Sequence, residues 1–287
     1  MTKGALIFAH NNRDVDYILL ALISARLCKK NLSVPVSLVT DLASLEWAKT
    51  SGIFDLVLDT FDSIIEVEKP VTTNTRRLHD GMDDKSVSFT NTNRFSAWDL
   101  TPYQRTLLLD SDYLVLSKKL SEYWGVDQSV LIANSMLDVY DQKRMGYHDK
   151  YMSDTGPHLY WATTVIFTKN QESKLFFDTV NYVKQNYQYF ADLFRFDARQ
   201  FRNDIAFSVA KHILSGFEHS ENIDLPPLLT VQDRDVLVDV DVNGRLKFLI
   251  TPDMNSNYVL ASLRDVDVHV MNKQSIVRNK DKLLALV

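Results

Sequence analysis

The chain has 287 residues, enough for one large α/β domain or two small ones. Hydrophobic content of 45%, charged content of 24% and a net charge of -5 are ordinary for a soluble globular protein and exclude a surface that attracts polyanions everywhere. The single cysteine, Cys28, excludes a disulfide framework, no run approaches the roughly 20 apolar residues of a membrane span, and the absence of a signal-peptide pattern makes a cytoplasmic setting the expectation.

In chain order, Ala5–Ala9 reads as a buried first strand, followed by the polar loop His10–Asp14. Tyr17–Leu27 is helical, with Asp14 as expected N-cap. A second strand, Val34–Val39, ends at Thr40-Asp41, a helix runs from Leu42 to Thr50, and Asp55–Leu58 reads as a third strand. This β-α-β-α-β order predicts a mainly parallel sheet covered by helices, in which ligands bind at the carboxyl ends of the strands. Residues 68 to 92 are rich in Thr, Asn, Asp and Ser, with Arg76, Arg77 and Lys85, and read as a long mobile loop. A short helix over 93 to 100 leads to the apolar run Leu107-Leu108-Leu109, which stops abruptly at Asp110-Ser111-Asp112.

Strand alternation puts both carboxylates of an Asp-x-Asp pair on one side, and two hard oxygen donors there suit Mg²⁺ or Mn²⁺ bridged to a diphosphate. The plain alternative is a solvated turn after a strand. Farther along, Val130–Ala133 and Leu159–Thr168 read as strands, residues 137 to 158 as a second polar loop, and 172 to 186 and 203 to 214 as helices. Alternation around Asn243-Gly244 over Val236–Ile250 signals a hairpin, and Val266–Met271 a last strand. No Pro/Gly linker divides the chain, so one domain with loop insertions is expected.

The segment Arg94, Trp98, Leu100-Thr101-Pro102-Tyr103, then Leu109-Asp110-Ser111-Asp112 resembles the donor-site segment of glycogenin-like GT-A glycosyltransferases. The resemblance implies a GT-A fold over 1–287: a Rossmann-like, mainly parallel central sheet flanked by helices, with a β-hairpin and long loop insertions, a nucleotide-binding half over 1–116 and an acceptor and sugar half over 117–287. It implies that Arg94 contacts the donor diphosphate, that Asp110 touches the ribose and the metal, and that Asp112 is a direct metal ligand. Three further patches follow in the family's order. The stretch from His10 through Asn11, Asn12 and Tyr17 resembles the nucleoside-binding start, Asn203-Asp204 the polar pair beside the transferred sugar, and Val268–Lys273 the segment whose His, here His269, is the third metal ligand. Ser111 and Lys273 join the expected donor contacts, Lys273 or Lys280 replacing the family's missing Lys-Pro-Trp charge. The family's Asn-Ala-Gly is here Trp161-Ala162-Thr163-Thr164, so the sugar pocket differs.

The resulting expectation is a Mn²⁺- or Mg²⁺-dependent hexosyl- or pentosyltransferase that uses a nucleotide sugar, UDP-linked, and retains anomeric configuration, with Asp204 and Asn203 as catalytic candidates. The acceptor is open: a protein, a glycan, a small metabolite, or a modified DNA base reached through Arg76, Arg77, Lys85, Lys143, Arg144 and Lys150. A sugar-phosphate nucleotidyltransferase is the runner-up, disfavoured because no glycine-rich loop follows the first strand; a non-catalytic binding protein on the same fold is the third reading. Each residue also has a structural alternative: His10 and Asn11 capping a helix, Arg94 pairing with Asp99, Trp98 in the core, Asn203 and Asp204 at a helix start, and His269 as a plain strand histidine.

Overall fold

The first half alternates strand and helix: β1 (Lys3–Phe8), α1 (Tyr17–Leu32), β2 (Val36–Thr40), α2 (Leu42–Thr50), α3 (Phe54–Thr60) and β3 (Ser63–Glu66). The computed structural model describes residues 1–71, 74–79, 84–140, 150–217, 224–252 and 257–287. Lys143, Arg144, His148 and His219, and the side chain of Arg77, lie outside the described residues. The chain continues through β4 (Thr75–His79), β5 (Asp84–Ser88), a 3₁₀ turn at Arg94–Ser96, α4 (Ala97–Leu100), β6 (Arg105–Leu109), β7 (Tyr113–Leu114), β8 (Val130–Ala133), β9 (Met136–Asp138) and β10 (Trp161–Thr168). Then come α5 (Gln171–Gln185), α6 (Tyr187–Phe194), α7 (Asn203–Ser215), β11 (Leu228–Val231), β12 (Val236–Val240), β13 (Leu246–Ile250), β14 (Val259–Leu263), β15 (Val268–Val270), α8 (Lys273–Arg278) and α9 (Lys280–Leu284).

Among the described residues, the main sheet has the order β3-β2-β1-β6-β10-β8. Strands β3, β2, β1 and β6 are parallel, and β10 runs against both β6 and β8. Strands β1, β2 and β6 are apolar almost throughout because both faces are covered: α1 packs on β1 and β2, and α7 on β10. The fold is therefore the expected α/β one, a mostly parallel sheet flanked by helices. Gly4 in β1 lies so close to the Tyr103 ring that an added Cβ would meet it at 2.4 Å, and the Tyr103 hydroxyl is 2.7 Å from Ser37 Oγ, which ties the loop before β6 to β2.

Several local expectations change. Residues 55–58 are not a strand but the middle of α3; Val57 is buried while Leu56 and Leu58 are exposed, a one-sided pattern that a four-residue apolar run does not reveal. Part of the stretch 68–92 is a hairpin of β4 and β5 that buries Leu78 and Val87. The α1 N-cap is Asp16, which accepts from Leu19 N at 3.0 Å, not Asp14. Strand β14 and helices α6, α8 and α9 had no clear sequence signal. Among the described residues, no helix is long and apolar enough to cross a membrane.

Candidate functional site

Because β1, β2 and β6 are parallel, their carboxyl ends open on one edge, and three of the segments expected to form the site meet there. At the end of β6, Asp110 N donates to Thr163 O at 2.9 Å, and Tyr113 N closes a turn on Asp110 O at 3.2 Å. Asp110 and Asp112 thus converge through a tight turn between β6 and β7, and not through strand alternation as the sequence suggested. The turn feeds β7, which pairs with β15 so that His269 stands opposite Tyr113, and Val270 N donates to Asp112 O at 3.0 Å. That register delivers the imidazole to the carboxylates: one ligand atom from each of Asp110, Asp112 and His269 lies within 4.8 Å of the others.

Two cations flank the three. Arg94, 2% exposed, donates from Nη1 to Asp110 Oδ1 at 2.7 Å; its Nε and Nη2 find no partner among the described residues. The alternative pairing with Asp99 is not formed; Asp99 lies near Lys174, at 3.9 Å. Lys273 Nζ is 2.6 Å from Asp112 Oδ2, and His269 Nε2 is 3.4 Å from Asp112 Oδ1. Burial pushes the Asp110 carboxyl above its ordinary value, Arg94 offsets part of that, and Asp112 adds to the rise. Burial would raise Asp112 too, but Lys273 and His269 outweigh it and hold that carboxyl far below the usual range. The pair is thus electrostatically unequal, Asp112 being the firmly ionised member.

The loop after β1 is held by its own polar groups. His10 Nδ1 sits 2.8 Å from Asp41 Oδ2, and burial lowers the His10 pKa although Asp41 pulls it up. Asn11 Oδ1 accepts from Ile18 N at 2.9 Å and its Nδ2 donates to Asp16 at 3.0 Å. Asn12 Oδ1 accepts from Asp14 N and Val15 N, while its Nδ2 reaches Ser88 O of β5 at 2.6 Å. A cleft of about 570 Å³ lies between Asn11–Asp14, Trp47, Lys69 and Ser86–Ser88. Tyr17 is buried, which pushes its hydroxyl up; Lys273 and Arg76 are close enough to lower it and Asp112 to raise it. Ser111 is buried in the acidic turn. Sequence reasoning overlooked Trp47, Lys69 and Asp41 as neighbours of this loop; their only signal was position just beyond β2 or β3.

Asn203 and Asp204 open α7 as expected. Asn203 Nδ2 donates to Asn91 O at 2.9 Å. Asp204 Oδ1 accepts from Ala162 N at 2.9 Å, and its Oδ2 is 3.5 Å from Arg202 Nη2. Asp204 is outside the ligand cluster but near enough to raise the Asp110 carboxyl. Trp98 serves packing: its Nε1 donates to Ser173 Oγ at 3.0 Å.

No protein-family model and no curated protein matches the sequence. Among solved structures, the chain is similar to the apo-form glycosyltransferase GlyE of Streptococcus pneumoniae TIGR4, at 17% identity and a TM-score of 0.37 over 77% of this chain and 45% of that one. It is also similar to the galactosyltransferase LgtC in complex with donor and acceptor sugar analogs, at 15% identity and a TM-score of 0.40 over 72% and 70% of the two chains. A third similarity is to the inositol-1-phosphate CTP transferase from T. maritima, at 11% identity and a TM-score of 0.40 over 75% and 82%. The chain spans less than half the length of GlyE.

Proposed function

We propose that this chain is a metal-dependent glycosyltransferase that moves a sugar from a UDP-linked donor to an acceptor. The observation that carries the reading is the meeting of Asp110, Asp112 and His269 at the carboxyl edge of the sheet, with Arg94 and Lys273 beside them. Two carboxylate oxygens and one imidazole nitrogen are a donor set that fits Mn²⁺ or Mg²⁺. A metal held there supplies Lewis-acid stabilisation of charge on a leaving diphosphate.

The chain's own residues supply the rest. Arg94 keeps two buried guanidinium nitrogens, Nε and Nη2, without a partner among the described residues, a group shaped for phosphate oxygens, and its bond to Asp110 fixes the guanidinium plane. Fixed donors aimed at a leaving group need no reorganisation as its charge grows. In this reading the cleft lined by Asn11, Asn12 and Trp47 takes the nucleoside. Asp204 lies near enough to Asp110 to raise its carboxyl, and in this reading its charge stabilises positive charge on the sugar; retention of configuration is the matching stereochemical expectation. In this reading the hairpin β4–β5, whose Ser88 O accepts from the Asn12 side chain, covers bound donor and excludes water.

Calorimetry with UDP in Mn²⁺ and in EDTA tests the metal, and mass spectrometry after incubation with a panel of nucleotide sugars tests the transfer. UDP affinity that is the same in both conditions rejects the metal–diphosphate centre. Pyrophosphate release from a nucleoside triphosphate and a sugar phosphate, with no sugar transfer, replaces the reading with nucleotidyl transfer. His269→Ala should stay folded yet need more Mn²⁺ for the same UDP affinity.

A further inference from the structure

Lys273 stands at the first position of α8, the end of a helix where a cation is least favoured. Its backbone is pinned: the Asn272 side chain accepts from Ser275 N at 3.0 Å and donates to Asp235 O at 2.9 Å, and it is wholly buried. The side chain of Lys273 is 14% exposed and that of Asp112 7%, with 2.6 Å between Nζ and Oδ2. The other oxygen, Oδ1, faces His269. One carboxylate thus serves two masters: an ammonium supplied by the chain, and the three-residue cluster suited to a divalent cation. Two positive groups on the two oxygens of a single buried carboxylate repel each other strongly, because little water screens them. A phosphate group reverses the sign of the interaction, since its oxygens attract both cations. The four-carbon stem of a lysine lets the ammonium change partner without moving the helix.

We infer that Lys273 is an internal counter-ion that makes divalent-metal binding conditional on the diphosphate: it holds Asp112 until phosphate oxygens draw it away, so that metal and nucleotide bind as a cooperative pair. The inference rests on the metal–diphosphate reading of this site and adds to it the coupling between the two ligands and the residue that sets it. Such coupling is reciprocal, so the factor by which UDP tightens Mn²⁺ is the factor by which Mn²⁺ tightens UDP.

The test is a Mn²⁺ titration of the full chain followed by electron paramagnetic resonance, with and without UDP, on the wild type and on Lys273→Met, which keeps the stem and removes the charge. In the wild type UDP should tighten Mn²⁺ by about tenfold or more. Lys273→Met should bind Mn²⁺ alone about tenfold more tightly than the wild type, and UDP should then add correspondingly less. Lys273→Arg, which restores the charge, should restore coupling. A folded Lys273→Met protein with unchanged or weaker Mn²⁺ affinity and full coupling overturns the inference and leaves the metal–diphosphate reading standing. Should that variant not fold, the wild type alone decides: Mn²⁺ bound as tightly without UDP as with it also overturns the inference. A wild type that takes up no Mn²⁺ even with UDP removes the metal–diphosphate reading itself, a different result.

Discussion

Lys273 and Lys184 are two sheltered lysines with opposite surroundings. Lys273 faces a carboxylate, and Asp112 raises its ammonium above the ordinary value against the effect of burial. Lys184, in α5, donates only to neutral oxygens among its described bonds: Thr92 O at 2.9 Å, Thr92 Oγ1 at 3.4 Å and Asn93 Oδ1 at 2.5 Å. The rings of Phe95 and Phe201 lie 4.8 and 5.5 Å from its Nζ. With no acid to compensate, burial lowers its pKa to about 8. The contrast separates two jobs that buried cations perform. Lys273 belongs to a charge balance that a bound anion can rearrange. Lys184 is a strut that fixes the backbone just ahead of Arg94, and it carries its desolvation cost to do so.

Breaking the Lys273 side of the contrast has the largest expected effect. Asp112→Asn removes a proposed metal ligand and the counter-charge of Lys273 together. Losing one member of a buried ion pair costs about 3–5 kcal/mol. Melting should record the destabilisation, and calorimetry should show UDP binding that no longer responds to Mn²⁺. A variant with wild-type stability and wild-type metal response would mean that Asp112 is neither.

Arg94→Ala tests the guanidinium that the Lys184 strut supports. It should lower UDP affinity more than uridine affinity, by about 1.5–3 kcal/mol for the lost charged hydrogen bonds. An unchanged ratio of the two affinities, measured by calorimetry, would confine Arg94 to pairing with Asp110.

The Lys184 side is sharpened by pH. Its folded pKa of about 8 lies below the ordinary 10.5, so between those values the unfolded chain binds the proton and the folded one releases it. Stability rises with pH wherever the unfolded state binds more protons. The stability of the wild type minus that of Lys184→Met should therefore increase from pH 8 to pH 10.5, read from urea midpoints at each pH. A difference that stays flat, or falls, removes the uncompensated-lysine picture.

The sequence made one part of this site legible and hid another, for physical reasons. Buried parallel strands leave continuous apolar runs, so β1 and β6 were plain, and an acidic pair at the end of such a run marked Asp110 and Asp112. The hairpin β4–β5 was hidden because, among its described side chains, only Leu78 and Val87 are buried, too few to set a period. The edge strand β14 was hidden because Val259 and Leu260 are exposed. The pairings were the least legible. Arg94 could have met Asp99 within its own short helix, and only the placement of β6 shows that it meets Asp110. Lys184, one charge within the helix expected over 172 to 186, gave no sign of its sheltered role, since its partners Thr92 and Asn93 are distant in sequence and neutral.

Asp204 carries the smallest expected effect on stability and the one most informative about the sugar side. Its Oδ1 accepts from Ala162 N at the start of β10, which is a structural duty. Its negative charge also reaches Asp110, which is a property of the site. Asn keeps an acceptor for Ala162 N and removes the charge, so Asp204→Asn separates the two. The contact to Arg202 is long and partly exposed, and its loss should cost about 1 kcal/mol or less. Ala removes the acceptor as well and leaves a strand N–H unpaired, at about 1–3 kcal/mol. If Asp204 stabilises positive charge on the sugar, an interaction strongest in the transition state, both variants should slow single-turnover transfer while UDP affinity holds. If its duty is structural alone, Asp204→Asn should transfer at the wild-type rate and only Asp204→Ala should melt early. Measuring melting and single turnover on both proteins decides: an active Asp204→Asn chain beside a destabilised Asp204→Ala chain would take Asp204 out of the chemistry.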